Sequence, residues 1–374
     1  NEKKFLADRY VIGTCPKCGY DHAYGNECDK CGTSLDPNQL INPHSAIDPS
    51  SPVEMRETKH LYFKLSAVQD KLRAWIDSRQ NWPKTAITIA NKWLDEGLHD
   101  NPITRDLKWG IPVNKPGFED KVFYVWFDAP WGYVSISQAA TNDWASWWKN
   151  PDCYYTQFMA KDNVSFHSVF FPAQELAMND NWKTVDMLKG QNFMNFNGAK
   201  ISKSTGNGIF LDEALNIAPS DCWRYALMAS APETDDTDFT MARFADVVNK
   251  DLNGLLGNFV SRVCKLSNKN FGDVVPDGNG IDKDLELKIN EKLNDLTSAL
   301  EKCEFRNAVF ALRSLWAIAN EYMTAKEPWA LVKNGDMNGA AASLNECFQM
   351  IDLFARVSAP FIPDAAEKMQ NVFE

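Results

Sequence analysis

The sequence predicts an α/β domain that carries a cysteine-rich module and leads into an all-helical bundle. Three observations predict it. Strand-like and helix-like runs alternate between Lys121 and Met178, four cysteines from Cys15 to Cys31 come as two C-x2-C pairs, and beyond about Met241 apolar residues recur at helical spacing while strand signals vanish.

Residues 10–33 are rich in Cys, Gly, Asp and Lys and hold too few apolar groups to bury a core of their own. Cys15-Pro-Lys-Cys18 and Cys28-Asp-Lys-Cys31 form C-x2-C-x9-C-x2-C, each pair followed by a glycine, Gly19 or Gly32. Four thiolates so spaced suit one tetrahedral Zn²⁺ with bonds of about 2.3 Å, a closed structural site that leaves no position for a substrate. His22, between the pairs, is surplus to a saturated metal and reads as a solvated loop residue. Two disulfides in a secreted domain would be the alternative, and the cytosolic look of the remaining chain opposes it.

From Leu61 to Leu98 helix-forming runs appear, among them Ala90–Leu98, stopped by Gly97 and the turn at Asn101 and Pro102. Lys121–Phe127 (KVFYVWF), ending in Asp128-Ala129-Pro130, predicts a buried parallel strand, and Tyr154–Met159 repeats the pattern. Tyr133–Lys149 and Phe166–Met178 follow as helices, so the order is that of half an α/β sheet. Further on, Leu252, Leu255, Leu256, Phe259, Val260 and Val263, then the runs Val309 to Tyr322 and Leu344 to Val357, predict a bundle of four or five amphipathic helices.

Composition narrows the class. With 39 Lys+Arg against 50 Asp+Glu the net charge is −11, which opposes nucleic-acid binding through a whole-surface field but leaves a local basic strip open. No apolar run approaches the roughly 20 residues of a membrane span, and no charged-then-apolar leader opens the chain, so a soluble, cytoplasmic protein without membrane contact is expected. The nine cysteines are too sparse for a disulfide scaffold, and Cys153, Cys222, Cys264, Cys303 and Cys347 stand alone, as core thiols would. The chain opens at Asn1 without an initiating strand and reads as a fragment.

The segment Asn197-Gly-Ala-Lys-Ile-Ser-Lys-Ser-Thr-Gly-Asn207 is a glycine-flanked loop with lysines three apart and hydroxyl residues between them. Such a loop suits polyphosphate, because lysine is a compact charge on a mobile stem. Taken alone it fits an ordinary surface loop equally well. At this loop, at Trp126-Phe-Asp-Ala-Pro130 and at Ala160-Lys-Asp-Asn-Val-Ser-Phe-His167, the sequence resembles the methionyl-tRNA synthetases of class I over nearly its whole length. Arg105-Asp-Leu-Lys-Trp-Gly110, the run Gly117 to Trp126, and Trp147-Trp-Lys-Asn-Pro151 resemble the eukaryotic cytosolic branch most.

That resemblance implies a Rossmann-like catalytic domain, of which this chain holds the second half, with the zinc knuckle inserted as part of a connective domain. The implied parts are 1–102 (connective domain), 103–193 (catalytic half), 194–240 (loop and stem-contact segment) and 241–374 (anticodon-binding bundle). The loop Lys200, Ile201, Ser202, Lys203, Ser204 matches the KMSKS signature with Ile in place of Met, which implies ATP binding there and stabilisation of the pyrophosphate leaving group by Lys200 and Lys203. Arg105 matches an arginine near the reacting groups, and a surface ion pair is its bland alternative.

The implied methionine pocket is Trp126, Ala129, Pro130, Tyr133, Asp162, His167 and Phe171, the last at a position often Trp in bacterial members. Aromatic walls suit a thioether, and a Tyr hydroxyl or His nitrogen can reach its sulfur; by residue type alone Trp126, ending a strand-like run, fits a core better than a ligand wall, and a core histidine is the alternative for His167. Asn258, Arg262 and Trp329 are implied to read the CAU anticodon of initiator and elongator methionine tRNAs, where a solvated helix face and cap packing are the alternatives. The family's H-x-G-H signature is missing, since no two of the five histidines are three apart, so this polypeptide alone is expected to lack half of its ATP site. Several relatives carry a second cysteine pair downstream, but Ile41–Pro49 has none, which leaves one structural zinc. Mg²⁺ with ATP completes the implied cofactors, and a place in a multi-synthetase assembly is compatible with the resemblance.

Overall fold

The computed structural model describes residues 6, 8–31, 33, 35–50, 53–203, 205–278 and 280–373. The chain divides into two units, Asn1–Lys189 and Gly190–Glu374. Gly32 and Ser204 lie outside the described residues.

In the first unit β1 (Val11–Thr14) pairs antiparallel with both β2 (Ala23–Tyr24) and β3 (Ile41–Ser45). Its apolar cluster is Val11, Cys15, Ala23, Cys28 and Leu40, so two of its buried members are cysteines of the C-x2-C pairs and burial by itself has little to work with here. Next come β4 (Tyr62–Phe63), α1 (Gln69–Asp77) and α2 (Lys84–Glu96), with β5 (Asn101–Pro102) paired to β4. α2 starts after Pro83 and ends at Gly97, whose φ of 82° suits a residue without Cβ. Leu72 and Ile76 of α1 and Ala86, Ala90 and Leu94 of α2 are buried in one cluster with Val169, Ala173 and Leu188, and Trp75 meets Trp82 edge-on at 5.3 Å.

β6 (Thr104–Arg105) and β7 (Val122–Phe123) pair antiparallel. The buried parallel strand expected over Lys121–Phe127 is therefore wrong: only two of its residues are strand, and the chain turns into α3 (Val125–Asp128). Beyond Phe123 no neighbouring strand supplies a ladder among the described residues, so the amides of Phe127 and Asp128 both turn back to the Tyr124 carbonyl, at 3.0 and 3.3 Å. Trp126, which the resemblance places in the methionine pocket and for which a strand core is the alternative, is 48 % exposed, against the core alternative. The predicted helix Tyr133–Lys149 is split into α4 (Gly132–Ala140) and α5 (Ala145–Trp148) by Thr141, which is extended and accepts the Asp143 amide on Oγ1. A strand does form near the expected Tyr154–Met159, as β8 (Thr156–Ala160), but only its Gln157 is buried and Phe158 is exposed; a π-helical turn, Phe166–Phe170, then runs into α6 (Phe171–Met178), and β9 (Met187–Gln191) lies beside β8.

The second unit opens with β10 (Met194–Phe196), antiparallel to β11 (Ala199–Lys200). After α7 (Leu211–Ile217) and α8 (Ser220–Ala229), β12 (Thr237–Phe239) returns parallel to β10. From there the chain is helical: α9 (Met241–Val247), capped by Thr240, a π-helical stretch Val248–Gly257, α10 (Asn258–Phe271), α11 (Lys283–Glu301), α12 (Phe305–Lys326), α13 (Pro328–Lys333), α14 (Met337–Ser358) and α15 (Pro363–Gln370). The expected four or five helices undercount these because α13 and α15 are too short to show a period; each begins at a proline, which is preorganised for the first helical position. α12 is the axle of the bundle, with Leu312, Leu315, Trp316 and Ala319 wholly buried. Among the described residues no helix is long and apolar enough to cross a membrane. Of the five lone cysteines only Cys347 is fully buried; Cys153, Cys222, Cys264 and Cys303 are half-buried, which corrects their reading as core thiols.

Glu175 of α6 is 3 % exposed, and neither carboxyl oxygen has a hydrogen-bond partner among the described residues. Burial pushes its acid well above the usual carboxylate range. Because the folded value lies above the unfolded one, its contribution to stability is complete below about pH 4 and is lost as pH rises through the folded value. Thermal unfolding of Glu175→Gln should therefore match the parent near pH 4 and exceed it at pH 8 by a few degrees, roughly what a kcal/mol gives in a unit this size. A gap that is constant from pH 4 to pH 8 would rule out the buried neutral acid.

Candidate functional site

In the first unit, the turn after β7 and the π-helical turn before α6 face one another across a small pocket of about 150 Å³. It is lined by Trp126, Ala129, Pro130, Gly132, Tyr133, Ile136, Phe166 and His167. Five of the seven residues expected at a methionine pocket are thus brought together. Trp126 and Phe166 rings lie 5.5 Å apart as adjoining walls. The polar end is a relay: the Tyr133 hydroxyl is 2.9 Å from His167 Nε2, and His167 Nδ1 is 3.0 Å from the Asn163 carbonyl. A carbonyl only accepts, so Nδ1 carries the proton and Nε2 accepts from Tyr133. Burial holds the His167 imidazole below its usual range, against a smaller opposing effect of the Asn163 bond, and burial holds the Tyr133 phenol up. Both groups stay uncharged at neutral pH, so the pocket offers an oriented polar wall without a charge.

Two expected pocket residues lie elsewhere. Phe171 is 2 % exposed and stands behind the wall, edge-on to Trp131 at 5.3 Å and 6.4 Å from Tyr133. Asp162 sits in the single helical turn after β8, where its carboxylate takes a 3.3 Å hydrogen bond from Asn163, and does not line the pocket.

Arg105, in β6, donates to the carbonyls of Pro102 and Thr104 at 3.1 and 2.9 Å and lies 3.7 Å over the Tyr124 ring. Beside it Lys121 pairs with Asp106 and donates to Thr58 at 2.8 Å, while His60 meets Asp106 at 3.5 Å and Thr104 at 2.9 Å. Sequence reasoning missed this buried network because its members lie tens of residues apart.

In the second unit, Lys200 ends β11, and Lys200, Ile201 and Lys203 are exposed. Asn207, to which sequence reasoning assigns no role, donates its side-chain amide to the carbonyls of Phe196, Ala199 and Lys200 at 3.2, 3.2 and 2.9 Å. Its backbone exchanges two further bonds with Ser202, at 2.9 and 3.1 Å. Asn207 thus ties the base of the loop and leaves the lysine side chains free to reach outward. In the bundle, Asn258 and Arg262 lie one turn apart on α10, and the Arg262 guanidinium is 5.1 Å over the ring of Trp329, which is 38 % exposed. The αL conformation of Glu327, φ 43°, ends α12 and lets Pro328 open α13, which presents that ring.

The four C-x2-C cysteines meet. Their sulfurs all lie within 4.8 Å of one another, with Cys15 to Cys31 at 3.9 Å and Cys18 to Cys28 at 3.6 Å. Sulfurs bound at about 2.3 Å to a tetrahedral ion stand about 3.8 Å apart, so the donor set fits Zn²⁺. Gly19, at φ 71°, closes the first knuckle with its amide on the Cys15 carbonyl at 3.0 Å. Hydrogen bonds to the side chain and amide of Thr33 hold the Cys31 thiol below its usual range. His22 is exposed beside Asp21 and takes no part, as the sequence predicts.

The profile of the family described as tRNA synthetases class I (M) matches residues 1–264, and that of the anticodon binding domain of methionyl tRNA ligase matches residues 275–374. The chain is 47 % identical to a methionine–tRNA ligase of Caulobacter sp. (strain K31), covering 100 % of this chain and 68 % of that protein. It is 46 % identical to the methionine–tRNA ligase of Streptomyces avermitilis, over 99 % and 68 %. Both relatives are bacterial and lend no support to a closer tie with the eukaryotic branch. The fold matches the Mycobacterium tuberculosis methionyl-tRNA synthetase solved with methionyl-adenylate at a TM-score of 0.76 and 24 % identity, covering 88 % of this chain and 65 % of that one.

Elemental analysis of the purified chain should find one zinc per polypeptide, and Cys28→Ser should lose it together with the fold of residues 10–45. A value near zero or two in the unaltered chain contradicts the four-cysteine assignment.

Proposed function

The chain belongs to the methionyl-tRNA synthetase family of class I, and from that premise we propose that the protein carrying it activates methionine with ATP and transfers it to methionine tRNA. The observation that carries this reading is the uncharged pocket in which Trp126, Ala129, Pro130, Tyr133 and His167 converge. A thioether has no charge to pair and little hydrogen-bonding capacity, so aromatic walls with one oriented hydroxyl suit it better than a charged site would. Phe171 supports the wall from behind, and Asp162 acts from outside it.

In this proposal the methionine carboxylate attacks the α-phosphate of ATP and pyrophosphate leaves. Lys200 and Lys203 reach the phosphates as negative charge gathers on the leaving group, and Ile201, Ser202 and Ser204 shape the loop around the nucleotide. Arg105, stacked on Tyr124, contributes positive charge near the reacting groups. Mg²⁺ would accompany the ATP and would offset charge on its phosphates. Cys15, Cys18, Cys28 and Cys31 hold one zinc, whose part is to cross-link a module too small to fold by burial. Asn258 and Arg262 hydrogen-bond splayed bases of the CAU anticodon, and Trp329 stacks on one of them. The parts 1–102, 103–193, 194–240 and 241–374 then serve connection, activation, loop and stem contact, and anticodon binding. The protein works in the cytoplasm, on initiator and elongator tRNAs alike.

The test is amino-acid-dependent ATP–pyrophosphate exchange with methionine, cysteine, leucine and valine. Exchange is expected with methionine alone, in protein that also supplies the histidine signature missing from this sequence, and not from this chain by itself. Lys203→Ala should slow exchange by about 10²–10³-fold while leaving methionine affinity near that of the parent, since the lysine acts on charge that develops in the transition state. Equal losses in rate and affinity would remove Lys203 from that role. Exchange with cysteine, leucine or valine would overturn the specificity.

A further inference from the structure

Between Met241 and Phe271 the chain runs as one helix whose middle ten residues, Val248–Gly257, are π-helical. Both junctions keep right-handed helical dihedrals, φ −61° and ψ −46° at Val248 and φ −64° and ψ −44° at Asn258, so no break in the rod absorbs a change of phase. An α-helix turns about 100° per residue, so one residue gained or lost by the wide-turned stretch would swing every side chain beyond it by about that angle. Asn258 and Arg262 are the first to be affected.

Local preference does not hold this register. π-helical geometry beyond a single turn is rare, and Gly254 and Gly257, poor helix formers, lie within it. Tertiary contacts hold it. Asp251 is 8 % exposed, and its carboxylate accepts from the Tyr225 hydroxyl of α8 at 3.2 Å and from Arg313 Nε of α12 at 2.7 Å. Tyr225 is itself wholly buried and stacks on Trp316 at 5.6 Å, so the carboxylate is fixed from two rigid helices. Four residues on, Asn320 Nδ2 donates to the Leu255 carbonyl at 3.1 Å while also holding the Trp316 carbonyl at 2.9 Å. The Asn258 amide reaches back to the carbonyls of Asn253 and Leu255, so Asn320 grips the turn from which Asn258 departs.

We infer that Asp251 is a positioning residue: held by Tyr225 and Arg313, it sets the rotational phase of α10 and thereby the direction in which Asn258 and Arg262 face an RNA. The inference rests on the proposal that these two residues and Trp329 read the anticodon. A buried carboxylate suits the task better than an apolar contact, because its two oxygens accept from two directions and a slipped register would leave a charge unpaired.

The experiment measures binding of an RNA hairpin bearing a CAU loop, and of the same hairpin with the middle base changed, to this chain and its variants. Asp251→Ala should weaken CAU binding and compress the preference for CAU by about five- to a hundredfold, the range of a coupling between sites. A structural role alone would lower the thermal midpoint and leave the preference intact. Should Asp251→Ala lose native helical circular dichroism, Asn320→Ala, which frees the Leu255 carbonyl, carries the same expectation. Trp329→Ala separates the two readings: if it leaves CAU binding unchanged, the anticodon assignment itself fails. If it weakens CAU binding while folded Asp251→Ala and Asn320→Ala keep the full preference, the positioning role of Asp251 is overturned.

Discussion

Two stretches in which backbone amides reach back five residues instead of four set the geometry of both candidate sites. Phe166–Phe170 carries His167 into the pocket, and Val248–Gly257 sets the phase of the helix that bears Asn258 and Arg262. A wide turn is costly by itself and persists where side chains from neighbouring elements overdetermine it. In the first unit the His167 imidazole takes the Asn163 carbonyl, which fixes ring and backbone together. In the second, Asp251 and Asn320 do so from outside the helix.

The placement of charge follows the same economy. Where a reaction on phosphates is proposed, cations stand exposed on a hairpin whose base is tied by Asn207, so the ends can move while the anchor cannot. Where an uncharged side chain is to be recognised, burial keeps Tyr133 and His167 neutral. Where charge is buried for architecture, as at Asp251 with Arg313 and at Asp106 with Lys121, it is paired and given further hydrogen bonds, the condition under which a buried ion is tolerated. Glu175, without a hydrogen-bond partner among the described residues, is instead pushed well above the usual carboxylate range by its burial.

Much of this was legible in the sequence. The cysteine cluster was readable because the C-x2-C spacing is local, and the four sulfurs do meet within 4.8 Å of one another, a set that could hold a metal ion. The bundle was readable because helical burial leaves a period that α10, α12 and α14 repeat over many turns. The strand expected over Lys121–Phe127 failed because aromatic and β-branched residues report a preference for burial, whereas a strand exists only where a neighbour takes its hydrogen bonds. Asn207, a residue type common in any turn, gave no sign of its grip on three carbonyls, and Asp251 read as one acid among 50 Asp and Glu.

By itself, then, the sequence determined what depends on local order: the α/β and helical classes, the cluster of four cysteines, and the lysine loop, each a pattern within a few tens of residues. Only the tertiary structure decided which of the expected pocket residues share a cavity, that Phe171 and Asp162 stand outside it, which tautomer His167 adopts, and how the helix bearing Asn258 and Arg262 is turned. Those outcomes depend on hydrogen bonds between groups distant in the chain, such as Asp251 with Tyr225 and Arg313, and a one-dimensional pattern carries no record of which distant partner a polar group will find.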